Sequence, residues 1–227
     1  MKYSLLVCLM AGSLATSAGT VFAQNPPLQK GVSVEMAVTN NAGPMPAADE
    51  RNAWIVAISA EGQIYFGTEG VTPEQLLEKM KTHPRNREAK LYLKADARAP
   101  YATVLKTLQV AKAAMFDGVV LLTKQAEAPP LGVMVPPKGF DVLLDSPASS
   151  AVVRVSRSGQ KTPELKVNDA TISFANLQSA LNQALQNRGE KVVVVTADPQ
   201  LPFSDVAHVI DAVRSVGAQA ALPTAEM

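Results

Sequence analysis

The chain has 227 residues, 47% hydrophobic and 18% charged, enough apolar material for one large domain or two small ones. Twenty-one Lys and Arg stand against 20 Asp and Glu, a formal charge of +1, and aromatics make up 5%, so the chain lacks the basic face that grips nucleic acid and the rings on which bases stack. One Cys and two His exclude a disulfide framework and leave too few ligands for a metal cage.

Residues 1–23 read as a signal peptide, or an N-terminal anchor if uncleaved. Lys2 supplies the positive end, Leu5–Ala11 is a short apolar run, and Val21-Phe22-Ala23 puts small residues where a signal peptidase reads. The segment could span a bilayer through residues 3–23, but Ser13, Thr16, Ser17 and Thr20 make its second half too polar for hydrocarbon. Cleavage before Gln24 would leave an exported chain without Cys8, and so with no cysteine.

From residue 30 the elements follow in order. Ala53–Ile58 is a β-rich run, Glu61-Gly62 a turn signal and Gln63–Phe66 the return strand of a hairpin. Thr72-Pro73-Glu74 is a helix start: a hydroxyl at the N-cap, proline at the first helical position, then an acid. Leu76, Leu77 and Met80 give that helix its buried face. Lys90–Ala95 is a strand, Tyr101–Met115 a helix with Val104, Leu105, Leu108 and Ala111 at helical spacing, and Val119–Leu122 a closing strand. Paired prolines at 129–130 and 136–137 mark residues 125–137 as an extended spacer.

The series then repeats. Lys90 to Tyr101 recurs without a gap as Val192 to Phe203, setting Asp96 against Asp198, Pro100 against Pro202 and Tyr101 against Phe203. Upstream, Val56 to Gly62 matches Val153 to Gly159, and both copies open on Lys-Gly, at Lys30-Gly31 and Lys138-Gly139. Val206, Val209, Ile210, Val213 and Val216 repeat the helical stripe, and Val192–Val195 is an apolar run fit for a covered strand. The fold class is therefore α+β: two tandem β-β-α-β-α-β units at 30–124 and 138–223, each a mixed sheet with two helices on one face. Each is expected to have its own core.

These residues resemble the ExbD/TolR biopolymer transport family, in tandem copies of its periplasmic domain. The first copy is the closer, in Lys30-Gly31-Val32-Ser33-Val34, Gly62-Gln63-Ile64, Val71-Thr72-Pro73, Lys94-Ala95-Asp96 and Tyr101-Ala102-Thr103-Val104. The second, more diverged, keeps Gly159, Ala197-Asp198 and Phe203-Ser204-Asp205-Val206. The resemblance implies a part in proton-driven transport beside an ExbB/TolQ-like channel subunit or a full-length ExbD/TolR paralogue, together with a TonB/TolA-type protein. Family members carry a transmembrane helix with a proton-handling Asp. Residues 1–23 contain no acid, so the chain reads as the periplasmic module without the motor helix.

Asp96 and Asp198 are equivalent acids just past a strand. With no nucleophile or base beside either, they are expected to be structural loop acids that bind backbone N–H groups. Arg85, Arg87, Lys90 and Lys94 form a basic cluster that would suit an anionic cell wall or lipid surface. His83 reads as a loop residue, His208 as an exposed helix residue, and Trp54 and Tyr65 as core. No catalytic motif, metal site or cofactor site is present in the sequence. The function expected is that of a non-enzymatic transport accessory at the periplasmic face of the inner membrane. The alternative is a peptidoglycan-binding module with no role in energy coupling.

Overall fold

The computed structural model describes residues 31–83, 89–116, 118–126, 135–145, 147, 150–159 and 162–224. In chain order the first part runs β1 (Val38–Thr39), β2 (Gly43–Pro44), a 3-10 turn (Pro46–Asp49), β3 (Trp54–Ile58), β4 (Ile64–Phe66), β5 (Glu69–Val71), α1 (Pro73–Thr82), β6 (Leu91–Ala95), α2 (Tyr101–Ala113) and β7 (Val119–Gln125). The second runs β8 (Lys138–Val142), β9 (Ala151–Ser156), β10 (Glu164–Val167), β11 (Ala170–Ile172), a 3-10 turn (Phe174–Asn176), α3 (Leu177–Leu185), β12 (Val192–Ala197), α4 (Phe203–Ser215) and β13 (Gln219–Ala221).

The local signals account for these elements. Thr72 accepts from the Gln75 N–H while the Gln75 side chain accepts from the Thr72 N–H, a capping box with Pro73 at the first helical position. Both long helices end alike. Met115 (φ 62°) and Gly217 (φ 71°) take the left-handed position after the cap, Phe116 N–H reaches Ala111 O, and Ala218 N–H reaches Val213 O. The helix expected to reach Met115 therefore stops at Ala113, because Met115 has left helical geometry.

Each module is a mixed sheet. In the first, β3, β6 and β7 are parallel and β3, β4 and β5 form an antiparallel meander; in the second, β9, β12 and β13 are parallel and β9, β10 and β11 repeat the meander. The meander adds a third short strand to the expected hairpin. In the second module it follows a two-residue turn with Asn168 and Asp169 both at positive φ.

The expectation of separate cores is corrected. β8, counted with the second copy, pairs antiparallel with β7 and so lies in the first sheet. Without it the longest strand of that sheet would be an open edge, and β8 buries Phe140 and Val142 there. Gly139 makes this close approach possible, since a Cβ on it would stand 2.6 Å from Leu121 O. Residues of both modules, among them Val104, Leu108, Phe140, Phe203, Val206 and Ile210, belong to one continuous hydrophobic cluster.

The modules also meet where their second helices begin. Pro100 and Pro202 form an antiparallel bridge, flanked by Tyr101 N–H to Leu201 O and Phe203 N–H to Ala99 O, each 2.9 Å. Ala102 N–H to Pro199 O (2.8 Å) and Ser204 N–H to Ala97 O (2.9 Å) extend the seam. Tyr101 and Phe203 are both buried beneath it.

Two substitutions test these details by urea unfolding. Met115→Gly removes a side chain that is 77% exposed from a left-handed position and should stabilise the protein by about 1 kcal/mol. Gly139→Ala forces β8 away from Leu121 and should destabilise it by about 1–3 kcal/mol.

Candidate functional site

Asp96 stands where β6 gives way to the loop leading into α2, and its N–H continues the ladder to Ile58 O at 2.9 Å. The carboxylate is enclosed. It accepts the backbone N–H of Glu35 (3.1 Å) and of Arg98 (3.0 Å), and the Arg98 guanidinium through Nε (2.9 Å) and Nη2 (3.1 Å). Those bonds to Arg98, chiefly the side-chain pair, hold the Asp96 carboxyl below the ordinary carboxylate range against the opposing effect of burial. Asp198 makes the same turn, its N–H on Val155 O and its carboxylate accepting the Gln200 N–H at 2.9 Å. The two acids lie in separate loops, and neither has a nucleophile or base among its hydrogen-bond partners.

The partner of Asp96 that the sequence did not reveal is the lead-in segment before β1. This segment starts with Gly31 beside Gly67, where a Cβ on Gly31 would meet Gly67 O at 2.8 Å, and reaches Asp96, where Met36 forms a bridge and Ala97 N–H donates to Glu35 O (2.7 Å). It then continues as β1 along β7, and the N–H groups of Asn40 and Asn41 both donate to the Asp211 carboxylate on α4 of the other module (2.7–3.2 Å). Asp211 is buried, so these bonds satisfy a charge withdrawn from water. In the second module Pro199 replaces Ala97 and has no N–H with which to hold a lead-in.

Lys90 and Lys94, the described members of the basic cluster, do not share one exposed patch. Lys94 alternates with Leu93 onto the Tyr92 face of the sheet and is 4% exposed; burial pushes its ammonium pKa down, and it has no described ion pair. It is corrected from a surface cation to a buried one, because β6 is covered on both faces. Lys90 is paired with Asp141, and Arg85 and Arg87 lie outside the described residues.

Trp54 belongs to an aromatic cluster with Phe66 (5.6 Å between ring centres), Phe116 (5.7 Å) and His83 (6.2 Å). His83 is exposed, but its ring stands edge-on to Trp54 and its Nδ1 is 2.8 Å from Lys79 O, an anchoring its polar surroundings in sequence did not signal. His208 is exposed on α4.

Two kinds of open surface remain. The meander strands β5 and β11 are the outer edges of their sheets. The exposed side of α3 carries Gln178, Ser179, Asn182, Gln183 and Gln186 along an open groove of about 560 Å³ that begins at Ala175. Among the described residues no group of three or more His, Cys, Asp or Glu could hold a metal, and no helix is long and apolar enough to cross a membrane.

Asp96→Asn should cost about 1–3 kcal/mol at neutral pH, the scale of lost charge-assisted bonds. Because the folded pKa lies below the unfolded value of about 3.9, the contribution is complete above that value and disappears as pH falls through the folded one. Urea unfolding across pH 7 to pH 2 should therefore show the gap between wild type and variant closing on acidification.

The family model described as "Biopolymer transport protein ExbD/TolR" matches the chain twice, over residues 5–126 and 129–225. No curated protein and no solved structure matches it.

Proposed function

This chain belongs to the ExbD/TolR family, and from that premise we propose that it is a non-enzymatic accessory of a proton-motive-force-coupled transport system of the TonB/Tol type. The carrying observation is the double match, which takes in both modules of the fold. The work is done by surfaces at the periplasmic face of the inner membrane. Partners are an ExbB/TolQ-like channel subunit or a full-length ExbD/TolR paralogue, together with a TonB/TolA-type protein.

The outer edges support this reading, since an unpaired strand edge accepts an extended segment by main-chain hydrogen bonds. β5 and β11 are equivalent strands at the outer ends of the two meanders, so one chain offers the same kind of edge twice. In this reading the proton-handling acid is supplied by the partner, since a proton-driven subunit must expose a titratable group inside the bilayer.

The groove along α3 favours a second reading: its lining amides and hydroxyl carry no charge, a donor and acceptor set suited to a neutral glycan such as peptidoglycan.

In a strain whose ExbD/TolR subunit has lost its membrane Asp, this chain alone should not restore uptake-limited growth, and a full-length paralogue should co-purify with it in mild detergent. Rescue by this chain as sole family member would overturn the accessory role. Retention on purified peptidoglycan with no membrane subunit recovered would transfer the assignment to the second reading.

A further inference from the structure

The seam between the modules is reciprocal. Tyr101 N–H donates to Leu201 O, and Phe203, which stands for Tyr101 in the second copy, donates to Ala99 O, which stands for Leu201 in the first. The outer pair repeats the rule: Ala102 to Pro199, and Ser204 to Ala97. Pro100 faces its own counterpart, Pro202. Each residue thus meets the equivalent of the residue that its own equivalent meets, which is the signature of a two-fold interface between identical subunits.

The segments that lead into the two modules, from Gly31 and from Lys138, also cross to the opposite module, though through contacts that are not equivalent. Asn40 and Asn41 of the first module bind Asp211 on α4, and Asp145 of the second accepts Lys112 Nζ on α2 at 2.6 Å. Each lead-in also runs along the last strand of its own module, Val38 on Lys124 and Leu143 on Ala221.

We propose that this seam is a self-pairing interface, so that the chain is a fused pair that closes on itself and fills, as one monomer, the place of two single-module subunits. The partner each face fits is a second copy of the module. All four seam bonds run from backbone N–H to backbone C=O, so any copy with the same backbone satisfies them. The crossing lead-ins supply the choice of partner. Gln109 stands in the first module where Asp211 stands in the second, so a first module facing another first module would offer Asn40 and Asn41 no carboxylate. Contacts with other proteins must then use surfaces away from the seam. This inference does not depend on the transport reading.

The test uses the full chain with Cys8→Ser. Pro100 and Pro202 are a non-hydrogen-bonded antiparallel pair, whose Cα atoms lie about 4.5 Å apart, within disulfide reach. On mild oxidation Pro100→Cys/Pro202→Cys should give a crosslinked single chain that migrates faster than its reduced form, and Pro100→Cys or Pro202→Cys alone should give no covalent dimer. Light scattering of the unsubstituted chain should return a single-chain mass that does not rise with concentration. Covalent dimers from any of these variants, failure of the double variant to crosslink, or a concentration-dependent dimer of the unsubstituted chain would overturn the proposal.

Discussion

Two prolines facing each other at an antiparallel bridge look like a fault in a hydrogen-bonded structure, since neither can donate. The geometry resolves it. Pro100 and Pro202 occupy the one kind of antiparallel pair whose own N–H groups point away from the partner, and the bonds are made by the residues on either side. Both prolines are also N-cap residues with extended backbone, φ −60° and −65°, so the same constraint that shapes the seam aims α2 and α4 from it. Tyr101 and Phe203, the first helical residues, are thereby turned inward and buried.

Everything else is arranged around that junction. With α2 and α4 brought together, their apolar stripes join one hydrophobic cluster, and the lead-ins can reach across to the opposite helix. Buried polar groups there are mostly answered: Asp211 by two backbone N–H groups, Asp96 by Glu35 and Arg98, Thr39 by Thr123 at 2.8 Å. The Tyr101 hydroxyl and the Thr224 Oγ1 are the exceptions among the described residues, and burial raises the tyrosine pKa. Tyr101 has given its backbone N–H to the seam while its hydroxyl lies in the shared core.

Much of this was legible in the sequence, and the reason is locality. Thr72-Pro73 announced α1 because capping is decided within a few residues, and the valine run at 192–195 announced β12 because burial on both faces writes itself as an unbroken apolar string. The duplication, too, needed only self-comparison. The seam did not show, because periodicity identifies a strand or helix without naming its partner far along the chain. The pairing of β8 with β7 is hidden for the same reason: Lys138 to Val142 is a credible strand wherever it pairs. β5 and β11 are three residues each, too short for a periodic signal, although Asn168-Asp169 carried the turn chemistry for the second. Asp96 was readable as a loop acid from its place after a strand, but Glu35, far upstream, was not readable as its neighbour. The burial of Lys94 is not legible either, because a charge prompts an expectation of water and only the sheet shows both faces of β6 covered.

Pro199 in place of Ala97 has a consequence for how such a chain can change. When two identical subunits assemble, every substitution arrives twice and must suit both environments. A covalent tandem is released from that condition, and the halves can specialise separately. Position 97/199 shows the release: one half keeps an N–H and holds its own lead-in segment at Glu35, while the other has given that donor up. Met115 against Gly217, and buried Lys94 against half-buried Thr196, are further places where one half carries a chemistry its twin does not. Symmetry has been retained in the main chain of the junction, where it holds the halves together, and has lapsed in the side chains, where each half has its own history.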